Sequence, residues 1–204
     1  RDSADALSAQ LSAGDQDVSI GRSHVSSEEV SDLIQQHLNH FPELESAAEQ
    51  LWRDAELSND DLYAGLKRHL ERAHRVTVRT VRTPPEERMR HHYDPESRIL
   101  SISELLPNRS RKMQLAYQVG LLSLESELER LTENPLITSD ESRTLARAAL
   151  ANYFAAAVLM PYEAVLRAAV ETRYDIEVIG RRFGTGFEQV AHRLTTLRRP
   201  SAAG

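Results

Sequence analysis

The 204 residues include no cysteine, so the chain can form neither a disulfide nor a thiolate metal site, and a cytoplasmic origin fits. No apolar run approaches the roughly 18 residues needed to cross a bilayer. The first residues are rich in Ser, Ala and Asp and lack the basic stretch followed by an apolar one that marks a secretory signal. The expectation is a cytoplasmic protein with no membrane partner. No internal repeat is evident. The chain starts at Arg1 rather than Met and is expected to be a piece of something longer, with enough residues for one sizeable domain or one domain plus an extension.

The formal charge is −6 and unevenly spread. Residues 1–66 carry 3 basic and 14 acidic groups (−11), residues 67–112 carry 12 and 6 (+6), and residues 113–204 carry 10 and 11 (−1). The basic middle also holds His69, His74, His91 and His92. A localised positive zone on an acidic chain suits a phosphate-bearing ligand better than general nucleic-acid binding, with a solvated Arg-rich face as the alternative.

Hydrophobic spacing places the elements. Residues 1–24 have sparse apolar positions and read as a linker or extension, partly disordered. Ser26 and Ser27 open a helix carrying Val30, Leu33, Ile34, Leu38 and Phe41. Pro42 punctuates, and Leu44, Ala47, Ala48, Leu51 and Trp52 continue a second run; Asp60-Asp61 caps a third from Leu62. The period then changes. Residues 75–82, 88–93 and 98–102 alternate or are rich in β-branched side chains, and Thr83-Pro84-Pro85 and Asp94-Pro95 separate them. Short connections predict an antiparallel meander. Pro107-Asn108 starts a further helix, Ser139 caps a long apolar one ended by Pro161, and three shorter helices follow at about 161–172, 175–183 and 186–197. The fold class is α+β: mostly helical, with helices packed around a small three-stranded antiparallel sheet.

Two segments carry a resemblance. Leu115-Ala116-Tyr117-Gln118-Val119-Gly120-Leu121 follows the zinc-peptidase pattern L-A-H-E-x-G-H, in which two His hold Zn²⁺ and the Glu is general base. Here those positions are Tyr117, Gln118 and Leu121: a phenol, an amide and an alkyl chain. Residues 151–161, Ala-Asn-Tyr-Phe-Ala-Ala-Ala-Val-Leu-Met-Pro, resemble the A-N-x-F-A-x-x-L-L-M-P signature of the ImmA/IrrE metallopeptidase-like family. In that family a Glu shortly before the signature is the third zinc ligand; here Arg147-Ala148-Ala149-Leu150 precede it. The resemblance covers about residues 25–198 and implies a zincin-type core without metal, not an enzyme, with residues 25–200 as a degenerate ligand-sensing domain.

Within that family the chain is similar to the actinobacterial short-chain fatty-acyl transcriptional regulators of the RamB and PrpR type. The resemblance implies a sensor of CoA or short-chain acyl-CoA such as propionyl-CoA, controlling propionate/methylcitrate and glyoxylate-type carbon metabolism. It also implies homo-oligomers (dimer or tetramer) and promoter DNA bound through an N-terminal helix-turn-helix domain that this sequence lacks. An iron–sulfur cluster would require a C-terminal cysteine-bearing domain, likewise absent here.

For such a ligand, Arg109, Arg111, Lys112 and Arg90 are the candidates for the CoA phosphates. A cationic first helical turn opposes the helix dipole unless an anion lies nearby. Tyr93, Tyr117, Gln118, Leu121, Leu150 and Phe154 are the candidates for the pantetheine and acyl pocket. Tyr117, Leu121 and Phe154 also fit as plain core, and Asn152 as a buried structural amide. His91 and His92 face opposite sides of a strand and so do not converge on one metal. The alternative function is direct DNA binding through residues 175–197, where two short helices flank a Gly-bearing turn. Its second helix opens Phe187-Glu188-Gln189, poor in base-reading donors. A surviving metallopeptidase is the third reading, and it needs ligands these positions do not supply.

Overall fold

The computed structural model describes residues 24–82 and 91–199. Helix α1 covers residues 24–36 and buries Val30 and Leu33. Ser26 and Ser27 lie inside it rather than capping it. The chain then turns through two consecutive left-handed residues, Leu38 (φ 52°) and Asn39 (φ 53°). Leu38, expected on the buried face, is therefore 73% exposed, while Phe41 drops into the core at 1%. Phe41 is the N-cap of α2 (Pro42–Asp54), whose first-turn proline needs no hydrogen-bond partner. Leu44, Ala48 and Leu51 face inward at helical spacing. Helix α3 (Leu62–His74) does the same with Leu62, Leu66 and Leu70, and ends at left-handed Arg75.

The three strands are β1 (Thr77–Val81), β2 (His91–Asp94) and β3 (Ile99–Ser103). Their order is β1-β3-β2. β1 pairs parallel with β3 (Val78 opposite Leu100), and β2 pairs antiparallel with β3 (Tyr93 opposite Leu100). The sheet is mixed, which corrects the expected antiparallel meander. Burial explains the order. Leu100 and Ile102 are fully buried, so the apolar strand takes the centre, where both its edges are paired. The Arg-bearing and His-bearing strands take the edges, where charge is tolerated. The linker expected at residues 1–24 lies outside the described residues except at His24.

Helix α4 (Asn108–Ser123) follows Pro107 and buries Leu115, Ala116, Val119 and Gly120. α5 (Glu125–Thr132), which the sequence reading passed over, buries Leu128 and Leu131. α6 (Asp140–Leu159) is capped by the Ser139 hydroxyl, which accepts from the Ser142 N–H at 3.0 Å. It packs against α2, α4, α5 and α9, and residues 157–160 are buried without exception. That is why the segment is apolar nearly all round. α7 (Tyr162–Glu171), α8 (Ile176–Phe183) and α9 (Phe187–Thr195) complete the fold within a residue or two of expectation. Among the described residues no single helix is long and apolar enough to cross a membrane.

Candidate functional site

Helix α6 forms one wall of a cavity of about 550 Å³. The turn after α1, the start of α4 and one side of α9, running from exposed Glu188 to buried Arg193, close the other sides. Ile34, Phe41, Met113, Leu150, Leu159 and Met160 supply apolar surface. Asn39, Asn152, Glu188, Gln189 and His192 supply polar groups, and Tyr153, Arg193 and Thr196 complete the lining. The lip is fastened by Asn39, whose Nδ2 donates to Thr195 Oγ1 at 2.7 Å, and by His40, whose Nδ1 lies 3.1 Å from the Thr196 carbonyl.

Arg193, in the cavity lining, forms an ion pair between α9 and α2 with Glu45, which stands behind it. The side chains of Arg193 and Glu45 are 0% and 1% exposed. Arg193 Nη2 donates to Glu45 Oε2 at 2.8 Å, Nη1 to Oε1, and Nε to the Met160 carbonyl at 2.9 Å. Tyr153 Oη donates to the same carboxylate at 2.7 Å. Burial, and next the Glu45 charge, push the Tyr153 hydroxyl well above the usual phenol range, so it stays a donor.

The structure does not bring the six pocket candidates together. Leu150 alone of them lines the cavity. Phe154 is 1% exposed and wedged against Gly120 of α4, where an added Cβ would lie 2.8 Å from its Cδ1. Tyr117 meets the His91 ring edge-on at 5.7 Å between centroids, at the junction of β2 and α4. Burial lowers the His91 pKa, with His92 adding to it, and burial raises that of Tyr117. Tyr93, two residues along β2 on the face of His91, and Leu121 are half-buried against the core. Gln118 is 3% exposed, and its amide makes no hydrogen bond among the described residues.

The phosphate candidates also separate. Arg109 is exposed, and its Nε lies 3.8 Å from where a Cβ on Gly186 would sit. Gly186 is the N-cap of α9, so Arg109 stands by the cavity rim near Gln189. Arg111 is committed to the loop before α4, donating from Nε to the Leu106 carbonyl at 2.8 Å and from Nη2 to that of Glu104 at 2.6 Å. Lys112 is half-buried, and Arg90 lies outside the described residues. Of the segment proposed for DNA, α9 turns Glu188, Gln189 and His192 to the cavity and buries Arg193, while Arg182 of α8 pairs with Glu171.

The sequence reading missed Glu45, Tyr153, His192 and Arg193. One signal was available: Glu45 sits on the apolar stripe of α2 beside Leu44 and Ala48, and a carboxylate there demands a buried cation. Asn152 corrects another expectation, being exposed on the cavity wall rather than buried. Zinc does not fit the former metal positions, since the phenol, amide and alkyl chain of Tyr117, Gln118 and Leu121 are not a zinc donor set.

The model of the IrrE N-terminal-like domain matches residues 71–195. The HTH-type transcriptional regulator RamB of Mycobacterium tuberculosis (strain H37Rv) is 36% identical over 177 residues, 87% of this chain and 37% of that protein. The propionyl-CoA carboxylase regulator of Cereibacter sphaeroides is 43% identical over 109 residues, 53% of this chain and 24% of that protein. This chain thus spans from about a quarter to somewhat over a third of the length of the curated relatives it matches. A solved Mycobacterium tuberculosis transcriptional regulator superposes with a TM-score of 0.83 at 34% identity, covering 88% of this chain and 54% of that one.

Proposed function

This chain belongs to the IrrE N-terminal-like domain family, and from that premise we propose that it is the ligand-sensing part of a transcription regulator rather than a peptidase. The ligand is CoA or a short-chain acyl-CoA such as propionyl-CoA. The output is control of propionate/methylcitrate and glyoxylate-type carbon metabolism in the cytoplasm. We extend the proposal to self-association as a dimer or tetramer, to promoter DNA contact through a helix-turn-helix domain outside these residues, and to an iron–sulfur cluster only where a cysteine-bearing domain supplies the ligands; RamB, an HTH-type transcriptional regulator, is a relative of which this chain covers 37%.

The observation that carries this reading is the cavity. Its volume of about 550 Å³ falls in the range of small-molecule sites, roughly 300–1,000 Å³. Its walls are apolar and its rim carries side-chain amides. That combination suits the thin pantetheine arm, which needs apolar surface and amide partners. Arg109 at the rim supplies a cation for a phosphate outside it.

Isothermal titration of the chain with propionyl-CoA and with CoA tests the proposal. Saturable binding is expected, lost when Leu150→Trp fills the cavity. No heat from a chain that still melts cooperatively counts against it. Direct DNA binding through residues 175–197 predicts instead a salt-dependent mobility shift by this chain alone.

A further inference from the structure

An arginine lining an apolar cavity is ordinarily a receptor for a carboxylate. Arg193 is not available for that. Nη1 donates to Glu45 Oε1 and to Thr196 Oγ1 at 2.9 Å, Nη2 to Glu45 Oε2 and Nε to Met160 O, which uses four of its five N–H donors. Glu45 stands behind it, outside the cavity lining and 1% exposed. The two charges cancel within one bidentate pair, so this part of the wall is neutral although a charged side chain forms it. The other ionisable groups of the lining besides the Tyr153 phenol are Glu188 and His192, both on the exposed side of α9. Glu188 is an anion that repels its like.

We infer that Glu45 is a specificity-determining residue. By masking Arg193 it fits the cavity to the neutral alkyl end of a monocarboxylic acyl group and excludes an acyl group that ends in a second carboxylate. This rests on the acyl-CoA reading of the cavity. A second carboxylate would shed its water where the guanidinium is already spent, next to the charge of Glu45. An acyl chain ending in a methyl group asks for no donor and loses nothing there. The pair also ties α9 to α2, so stability alone does not separate a specificity role from a structural one; the ratio of two ligands does.

The test is titration of the full chain with propionyl-CoA and succinyl-CoA, whose acyl groups differ by one terminal carboxylate. Wild type is expected to prefer propionyl-CoA by about tenfold or more. Glu45→Gln, which unmasks Arg193, narrows or inverts that ratio. The double variant Glu45→Gln/Arg193→Met makes the wall neutral again and restores the preference. Equal binding by wild type, or one ratio shared by all three proteins, overturns the inference. Should Glu45→Gln not fold, Met113→Arg places an unmasked cation elsewhere in the lining and is expected to raise succinyl-CoA binding; an unchanged ratio there overturns it too. If wild type binds neither thioester, the acyl-CoA reading fails, and the masking is then read with small probes. Propionamide is expected to displace Nile red from the cavity and succinamate not to, whereas equal displacement sinks the inference.

Discussion

Gly120 and Phe154 lie where two helices come close. A Cβ at position 120 would lie 2.8 Å from Phe154 Cδ1, and Phe154 is buried in the core at 1% exposure. Alanine gains about 1 kcal/mol in helix propensity, but overpacking of this kind costs about 1–3 kcal/mol. Gly120→Ala is therefore expected to lose up to about 2 kcal/mol in urea unfolding; a stabilised variant would show that the helices can separate. Arg193 gives a larger effect. Arg193→Met leaves the Glu45 carboxylate buried without a counter-ion, and a loss of about 3–5 kcal/mol is expected. A loss under about 1 kcal/mol would mean that water reaches the pair. At this scale the sequence was partly legible. Tyr117, Gln118 and Leu121 announced a zinc pattern without zinc donors. The partner of Glu45 could not be read, because it lies at position 193 and only the fold brings α9 against α2.

Elements were read more surely than their pairing. The long helix α6 could be foreseen from Ser139 at one end and Pro161 at the other, both local signals. Its cap is testable: Ser139→Ala removes the acceptor for the Ser142 N–H and is expected to cost about 1 kcal/mol. Amide exchange should quicken in the first turn of α6 before anywhere else in that helix, and uniform exchange would argue against local fraying. The strands were legible from β-branched runs, but their order was not. Turn residues report which strands are joined, not which lie side by side. Pairing of Val78 with Leu100 depends on the buried β3 taking the centre, a demand set by the helices beneath it. α5 was missed because its run is short, with only Leu124, Leu128 and Leu131 at helical spacing.

Across the whole molecule, burial of ionisable groups sets a pH dependence. Burial lowers the pKa values of His69, His74 and His91 below their usual 6.5. As the pH falls below about 6.5 the unfolded chain takes up protons that the folded chain resists. Stability is therefore full above that value and is lost as the pH falls toward the folded-state pKa values. Thermal melts at about pH 7.5 and 5.5 should show the lower midpoint at the acid end, and His91→Asn should narrow the gap. A midpoint indifferent to pH would mean that the three rings open to solvent. Hydrogen bonds rather than burial, from its own backbone N–H for Glu43 and from the Ser97 hydroxyl for Asp94, lower those two carboxyl pKa values, so their contributions hold to lower pH and disappear as each carboxylate is protonated. The cavity belongs to this scale as well. Its walls come from residues as far apart as Ile34 and Thr196, which no local pattern connects.

The bond between Glu45 and Arg193 also decides where this protein can be cut. A fragment confined to residues 71–195 would keep the zinc-like helix, the signature helix and the guanidinium, yet leave behind the carboxylate that neutralises it. It would lose as well Trp52, whose indole donates to the Val158 carbonyl at 2.9 Å, and Arg199, which pairs with Glu49 at 2.7 Å. A fragment reaching back through α2 and forward through Arg199 is therefore expected to resist urea better than one confined to residues 71–195. α2, which carries neither motif, thus supplies the counter-charge and hydrogen-bond partners of the segments around them.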